Sequence, residues 1–236
     1  MWLRAEEGGR EWLQRLPQLV NDCADRWKLR LGAPYWGEVS YVAPATTASG
    51  SDVVVKINFP SNESEHESAA LRHWRGSGAV KLLDDDVESR ALLLERCRPG
   101  NTLWGERERV ATDVMGDVLT GLWERRAPAL PFRSLIEAAG MWSEHLRAAY
   151  ERAGAPFETA LLDDALEFMA TVRPADPSDV VLHQDLHGGN VLRRGGEWVA
   201  IDPKPLAGER AFDLASYVRA AGASSATTET PRPPCA

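Results

Sequence analysis

The stretch that decides this sequence is His183-Gln-Asp-Leu-His-Gly-Gly-Asn190, followed by Trp198-Val-Ala-Ile-Asp202. Asp185 and Asn190 stand five residues apart between the apolar, β-like runs 180–182 and 191–192, a pattern that fits a loop presenting both side chains to one point. Twelve residues after Asn190, Asp202 ends the apolar run 198–201, so a second carboxylate leaves a buried strand beside that loop. Phosphoryl transfer needs such a set: one carboxylate to orient the acceptor hydroxyl, and an amide oxygen and a second carboxylate to hold Mg²⁺ on the phosphates. The order (H-x-D, Asn five on, then a strand ending in Asp) is that of kinase catalytic and metal loops. On this reading Asp185 is catalytic, and Asn190 and Asp202 are Mg²⁺ ligands.

Each of these residues alone reads more simply as a turn or cap residue; the three together, in this order and strand context, do not. A zinc site built from His183, His187, Asp185 and Asp202 has suitable ligand types, but it leaves Asn190 and the upstream half of the chain unexplained.

That upstream half contains Val53-Val-Val-Lys-Ile57. Lys56 stands within an apolar β-like run, where an unpaired ammonium is costly, so it requires a carboxylate partner. Glu67 on the following predicted helix shares a face with Ala70, Leu71 and Trp74, which aims it inward. Glu63 and Glu65 stand close enough in sequence to serve instead. A Lys–Glu pair of this kind sets the Lys against the α- and β-phosphates of ATP. The hydroxyl-rich turn 44–52 lies where a phosphate lid would, although it reads equally as a plain hairpin loop.

Around these landmarks the periodicity predicts an amphipathic helix over 9–30, with Pro17 inside it, then β-like runs 38–43 and 53–59. A helix runs from cap-type residues 61–65 to Trp74, stopped by Gly76 and Gly78. Runs 79–83 and 91–95 follow, with Asp84–Asp86 as the turn between them, and 98–101 breaks the pattern. Residues 106–172 are mainly helical. Strands with one inserted helix, then a helical block with a small β insertion, imply a two-lobed α+β architecture. Its parts are an N-terminal lobe, 1–98, a helical C-terminal lobe, 99–222, and a low-complexity, disordered tail, 223–236.

Composition fits this outline. The 236 residues are 44% hydrophobic and 26% charged, which suits a folded domain with a sizeable core. A formal net charge of −8 argues against a nucleic-acid binder and suits a cationic small molecule. Cys23, Cys97 and Cys235 are scattered, without metal or C-x-x-C spacing, and read as reduced thiols. With no apolar leader region and no stretch long enough to span a membrane, the expected location is the cytoplasm.

HQDLHGGNVL (183–192), WVAIDPKPLAGERAFDLA (198–215), LLLERCRPGNTL (92–103) and SEHESAALRHWRGSGAVKLL (64–83) resemble the aminoglycoside phosphotransferase family, and within it the streptomycin 6-kinase and hydroxyurea-kinase branch. The similarity runs from about residue 10 to about 218. It implies a protein-kinase-like fold, with Asp185 catalytic, Asn190 and Asp202 on Mg²⁺, Lys56 on the phosphates and Glu67 as its partner. It places adenine against the backbone at Glu95, Arg96 and Cys97, and makes Asp213 a buttress of the catalytic loop. The implied reaction is ATP-dependent phosphorylation of an aminoglycoside, with the streptomycin 6-hydroxyl foremost. Hydroxyurea, a choline-like amine or a sugar metabolite is the alternative acceptor, and an inactive pseudokinase is the alternative outside enzymes. Family members carry further helices after the segment matching ERAFDLA, so the resemblance also implies a shortened C-terminus and apolar helix faces left uncovered.

Overall fold

The computed structural model describes residues 8–35, 39–128 and 131–218; the stretch 223–236, with Cys235, lies outside them. The chain runs α1 (Gly9–Arg26), β1 (Leu29–Leu31), β2 (Ser40–Thr47), β3 (Asp52–Asn58), α2 (Glu67–Trp74), β4 (Leu82–Asp86), β5 (Ala91–Glu95) and β6 (Pro99–Thr102). It continues with α3 (Glu108–Leu122), α4 (Leu135–Arg152), α5 (Thr159–Ala170), β7 (Val180–Leu182), β8 (Val191–Arg194), β9 (Glu197–Ala200) and β10 (Leu206–Gly208).

Strands β1–β5 form one antiparallel sheet in the order β1-β2-β3-β5-β4. Side chains alternate across a strand with period two, and β3 shows what this does. Val53, Val55 and Ile57 face α1 and pack with Trp12, Cys23, Ala91 and Leu93. The opposite face of the sheet carries Leu92 and Leu94, which pack with Ala70, Leu71 and Trp74 of α2. Lys56 has the parity of that second face. Both faces being covered, β3 reads as a nearly unbroken apolar run with one ammonium in it.

Several local expectations shift. The hairpin turn shrinks from 44–52 to 48–51, because Pro44 to Thr46 pair with β3 and Thr47 pairs with β1. Asp84, Asp85 and Asp86, expected as a turn, form the edge strand β4. Their carboxylates are met by Trp27 (2.8 Å from Nε1 to Asp84), Arg72 (on Asp85) and Arg26 (3.8 Å from Asp86). The polar run is therefore a sheet edge, with Asp85 buried in it, that fastens α2 and the end of α1. Residues 98–101, expected as a break, enter β6, which pairs with β8 in a second sheet ordered β6-β8-β9.

The junction with the helical part is made by backbone. Val80 donates to the Ala200 carbonyl at 2.9 Å, and Ala200 donates to Gly78 at 2.8 Å. Gly78 has a φ of +67°, and a Cβ there would stand 2.7 Å from the Val118 carbonyl of α3, so glycine is required on both counts. Helix α4 starts with a capping box between Ser134 and Glu137 and covers the β10–β7 pair through Leu135, Ala138, Val180, Leu182 and Leu206. Among the described residues no helix is long and apolar enough to cross a membrane.

Candidate active site

A strand, a helix and two turns bring the predicted residues together. Strand β3 supplies Lys56, α2 supplies Glu67, and the turns after β7 and β9 supply Asp185, Asn190 and Asp202. Lys56 Nζ lies 2.7 and 2.8 Å from the two oxygens of Glu67 and also contacts Asp202 Oδ1, 146 positions away in sequence. Asn58 Nδ2 donates to Glu67 Oε2 at 2.7 Å. Of the three glutamates open on sequence grounds, Glu67 is thus the partner of Lys56. Glu63 instead meets Lys204 at 3.1 Å, and Glu65 lies 3.9 Å from His66.

The charge states follow from this packing. Burial alone would lower the Lys56 ammonium, but Glu67 and Asp202 outweigh it and raise its pKa. Burial pushes the Glu67 carboxyl up, against the pull of Lys56. At Asp202 burial also acts upward, yet the adjacent ammonium wins and holds the carboxyl below its ordinary value. The Asp202 side chain remains 46% exposed. Its backbone has a φ of +60° immediately before Pro203, a conformation that costs about 1–3 kcal/mol in a non-glycine residue and is found where function holds it.

The loop 183–190 is braced from behind. Asp213 is fully buried and its Oδ1 accepts the backbone N–H groups of His183 and Gln184, both at 2.9 Å, while Trp123 Nε1 donates to Oδ2 at 3.1 Å. Burial outweighs these donors and raises the Asp213 carboxyl to about 6. His183 is also fully buried, its ring stacked on Trp74 with centroids 6.3 Å apart. Its Nε2 bonds the Ile201 carbonyl at 2.9 Å, which places the ring proton on Nε2. Burial drops its pKa to about 4, so the ring is neutral. A histidine committed to Ile201 in this way does not face the cleft as a zinc ligand.

On the open side, Asn190 Nδ2 donates to the Asp185 carbonyl at 3.0 Å, which fixes the amide and directs its oxygen away from that bond. Asn190 also receives the Ile201 N–H on its backbone carbonyl at 2.9 Å, joining the loop 183–190 to the turn that follows β9. Lys204 Nζ lies 3.4 Å from Asp185 Oδ2. Sequence reasoning did not single out Lys204; its place two residues past Asp202, between two prolines, is the signal that was available.

The predicted adenine segment is arranged differently along its length. The Glu95 N–H bonds the Lys81 carbonyl at 3.0 Å, and its carboxylate accepts from Lys81 N at 2.8 Å and Arg194 at 2.6 Å. Arg96 reaches the Tyr35 hydroxyl at 3.3 Å. Cys97 is half-buried, and burial first, then Glu95, raises its thiol to about 11, which keeps it protonated.

A Mg²⁺ ion fits this donor set. Among the described residues no three of His, Cys, Asp and Glu converge as a metal cage. Mg²⁺ is characteristically held by one or two protein oxygens together with substrate phosphates and water, and Asn190 and Asp202 offer an amide oxygen and a carboxylate.

The family model described as aminoglycoside/hydroxyurea antibiotic resistance kinase matches residues 26–233, continuing past residue 218, where the motif-based resemblance ends. A streptomycin 6-kinase of Streptomyces glaucescens is 39% identical over 211 residues, covering 88% of this chain and 68% of that protein. A hydroxyurea phosphotransferase of Kitasatospora aureofaciens is 42% identical over 212 residues, covering 87% of this chain and 62% of that protein. Among solved structures, an aminoglycoside phosphotransferase in ternary complex with ADP and hygromycin B superposes with a TM-score of 0.52 at 15% identity, covering 83% of this chain and 74% of its own. At that identity the likeness speaks for the fold, which is the kinase-like α+β fold. The chain belongs to the aminoglycoside/hydroxyurea antibiotic resistance kinase family and is a phosphotransferase.

Proposed function

We propose that this member of the aminoglycoside/hydroxyurea antibiotic resistance kinase family transfers the γ-phosphoryl group of ATP to a hydroxyl of an aminoglycoside. The acceptor we assign is the 6-hydroxyl of streptomycin. The observation that carries the reading is Lys56, which meets Glu67 and Asp202 at once across 146 positions of sequence. The Asp185–Asn190 loop lies beside this cluster, tied to the turn bearing Asp202 by the Ile201 N–H on the Asn190 carbonyl at 2.9 Å. The similarity to a streptomycin 6-kinase supports the acceptor, and the net charge of −8 suits a polycation.

In this reading ATP lies between an N-terminal lobe ending at residue 98 and a C-terminal lobe beginning at 99, in the cytoplasm, which supplies it. Adenine rests against the backbone of Glu95, Arg96 and Cys97; the Glu95 N–H and carboxylate are already engaged with Lys81 and Arg194, which leaves its carbonyl for that contact. Lys56 binds the phosphates and Glu67 holds Lys56. Asn190 and Asp202 would hold Mg²⁺, which when bound neutralises charge on the phosphates. Asp185 orients the acceptor hydroxyl and takes its proton as the new O–P bond forms; the bond from the γ-phosphorus to the bridging oxygen breaks, and its electron pair leaves on ADP. Such proton acceptance contributes about 10²–10⁴-fold.

A second reading, phosphorylation of hydroxyurea, is favoured by the 42% identity to a hydroxyurea phosphotransferase. Incubation of the chain with Mg·ATP and each compound, followed by mass spectrometry, separates the two. Phosphorylated streptomycin is the expected product, and transfer to hydroxyurea alone would replace the acceptor. Absence of product from both, with no nucleotide-dependent rise in melting temperature, would overturn the kinase reading.

A further inference from the structure

Lys204 has no part in the reading above, yet the fold holds it with care. Pro203 and Pro205 flank it, and both are buried. Each proline ring fixes its own φ near −65°, so the backbone that carries Lys204 is stiff. The Lys204 N–H donates to the His183 carbonyl at 3.0 Å, which pins it to the start of the catalytic loop. From that base the side chain, 32% exposed, reaches two carboxylates: Asp185 Oδ2 at 3.4 Å and Glu63 Oε2 at 3.1 Å. Glu63 stands in the segment between β3 and α2, the same segment that delivers Glu67 to Lys56. One ammonium therefore bridges the loop bearing Asp185 to the part of the chain that positions the phosphate-binding lysine.

We propose that Lys204 is a positioning residue for phosphoryl transfer, fixing the Asp185 carboxylate by its ion pair and locking that alignment to the phosphate-binding side through Glu63. This rests on the reading of Asp185 as the group that meets the acceptor hydroxyl. The Glu63 side chain is 59% exposed, and an ion pair open to water on one side is worth little as stabilisation, so Glu63 contributes alignment rather than folding energy. Alignment matters steeply, since a displacement of about 1 Å at the reacting centre can cost about 10²-fold in rate.

The test is steady-state kinetics of the full chain with Mg·ATP and whichever acceptor it phosphorylates, comparing Lys204→Met, Lys204→Arg, Glu63→Gln and the Lys204→Met/Glu63→Gln double variant. Lys204→Met is expected to lower kcat on the order of 10²-fold, with the KM for ATP and the melting temperature unchanged. Lys204→Arg, which keeps a cation of similar reach, should recover most of that loss. Glu63→Gln should lower kcat by a smaller factor, and that factor should vanish when Lys204 is already Met, because the two residues act along one route. A loss confined to the KM for ATP would make Lys204 a phosphate-binding residue and overturn the proposal, as would unchanged kcat or failure of Arg to rescue. Should Lys204→Met not melt cooperatively, Lys204→Gln carries the same readouts. Asp185→Asn controls for the underlying reading: if it retains full transfer, that reading fails, whereas its inactivity beside a fully active Lys204→Met removes only the role of Lys204.

Discussion

The loop 183–190 has a back and a front, and they obey different physics. Behind it, His183, Leu186 and Asp213 are fully buried and answer to packing, with Trp74 and Trp123 as their neighbours. In front, Asp185, Asn190 and Lys204 are partly exposed, and their bonds are made to one another and to the facing segment. Alternation of inward and outward side chains lets eight residues serve both ends. The back shapes the loop through burial and backbone hydrogen bonds, and the front stays partly exposed. Changes in front should therefore cost rate, and changes behind should cost stability.

The sharpest form of this contrast is Asp185→Asn. It keeps size and partial exposure, so the melting temperature should hold while kcat falls about 10²–10⁴-fold. A parallel loss of stability, seen by thermal denaturation, would blur front into back. Asp202→Ala should likewise abolish productive Mg·ATP binding and turnover together, and turnover like that of the parent chain would remove the metal role.

Lys56 breaks the division, since it meets Asp202 on the open side but is only 5% exposed. Removing it leaves Glu67, 2% exposed, as an uncompensated buried charge. Lys56→Ala should thus cost about 3–5 kcal/mol of stability as well as activity. The double variant Lys56→Ala/Glu67→Ala should melt higher than Lys56→Ala alone while remaining inactive. If urea denaturation finds Lys56→Ala as stable as the parent, the ion pair is not buried in the way described.

Behind the loop, two titrations oppose one another. His183 has a folded value of about 4 against an ordinary 6.5, so its contribution is present above 6.5 and lost as pH falls to 4. Asp213 has a folded value of about 6 against an ordinary 3.8, so its contribution is present below 3.8 and lost as pH rises through 6. Each is worth about 3 kcal/mol, and across pH 4–6 they largely cancel. Asp213→Asn removes one side of the balance. That variant should lose about 3 kcal/mol between pH 6.5 and 4, where the parent is nearly flat. Denaturant midpoints measured at both ends of this window decide it, and parallel profiles would dismiss the opposition.

The smallest effect is expected at Gly188, where an added Cβ would stand 1.8 Å from Trp104 Cδ1. Trp104 is 67% exposed, and to make room its indole must leave the His187 ring, 5.5 Å away between centroids. Gly188 is itself buried, so Gly188→Ala should cost about 1 kcal/mol, read from the melting temperature. A larger loss would show that Trp104 is held on the loop.

What the sequence determined by itself is local. The grouping of Asp185, Asn190 and Asp202 was legible because they lie within a short span whose spacing reports backbone shape. The alternation in β3 and the inward stripe of α2 were legible because side-chain direction follows backbone period. A lysine inside an apolar strand announced a buried partner, since burying it alone is so costly. The tertiary structure decided what depends on where elements come to lie against each other. It chose Glu67 over Glu63 and Glu65, sent Glu63 to Lys204, engaged Glu95 with Lys81 and Arg194, and turned Asp84–Asp86 from a turn into a sheet edge met by Arg26, Trp27 and Arg72. The three-residue strands β1 and β10 are too short to leave a period in the sequence, and only their pairing partners make them strands. The Lys56–Asp202 contact spans 146 positions: no local pattern encodes it, because its geometry is the sum of the packing between the two sheets and the helices that join them.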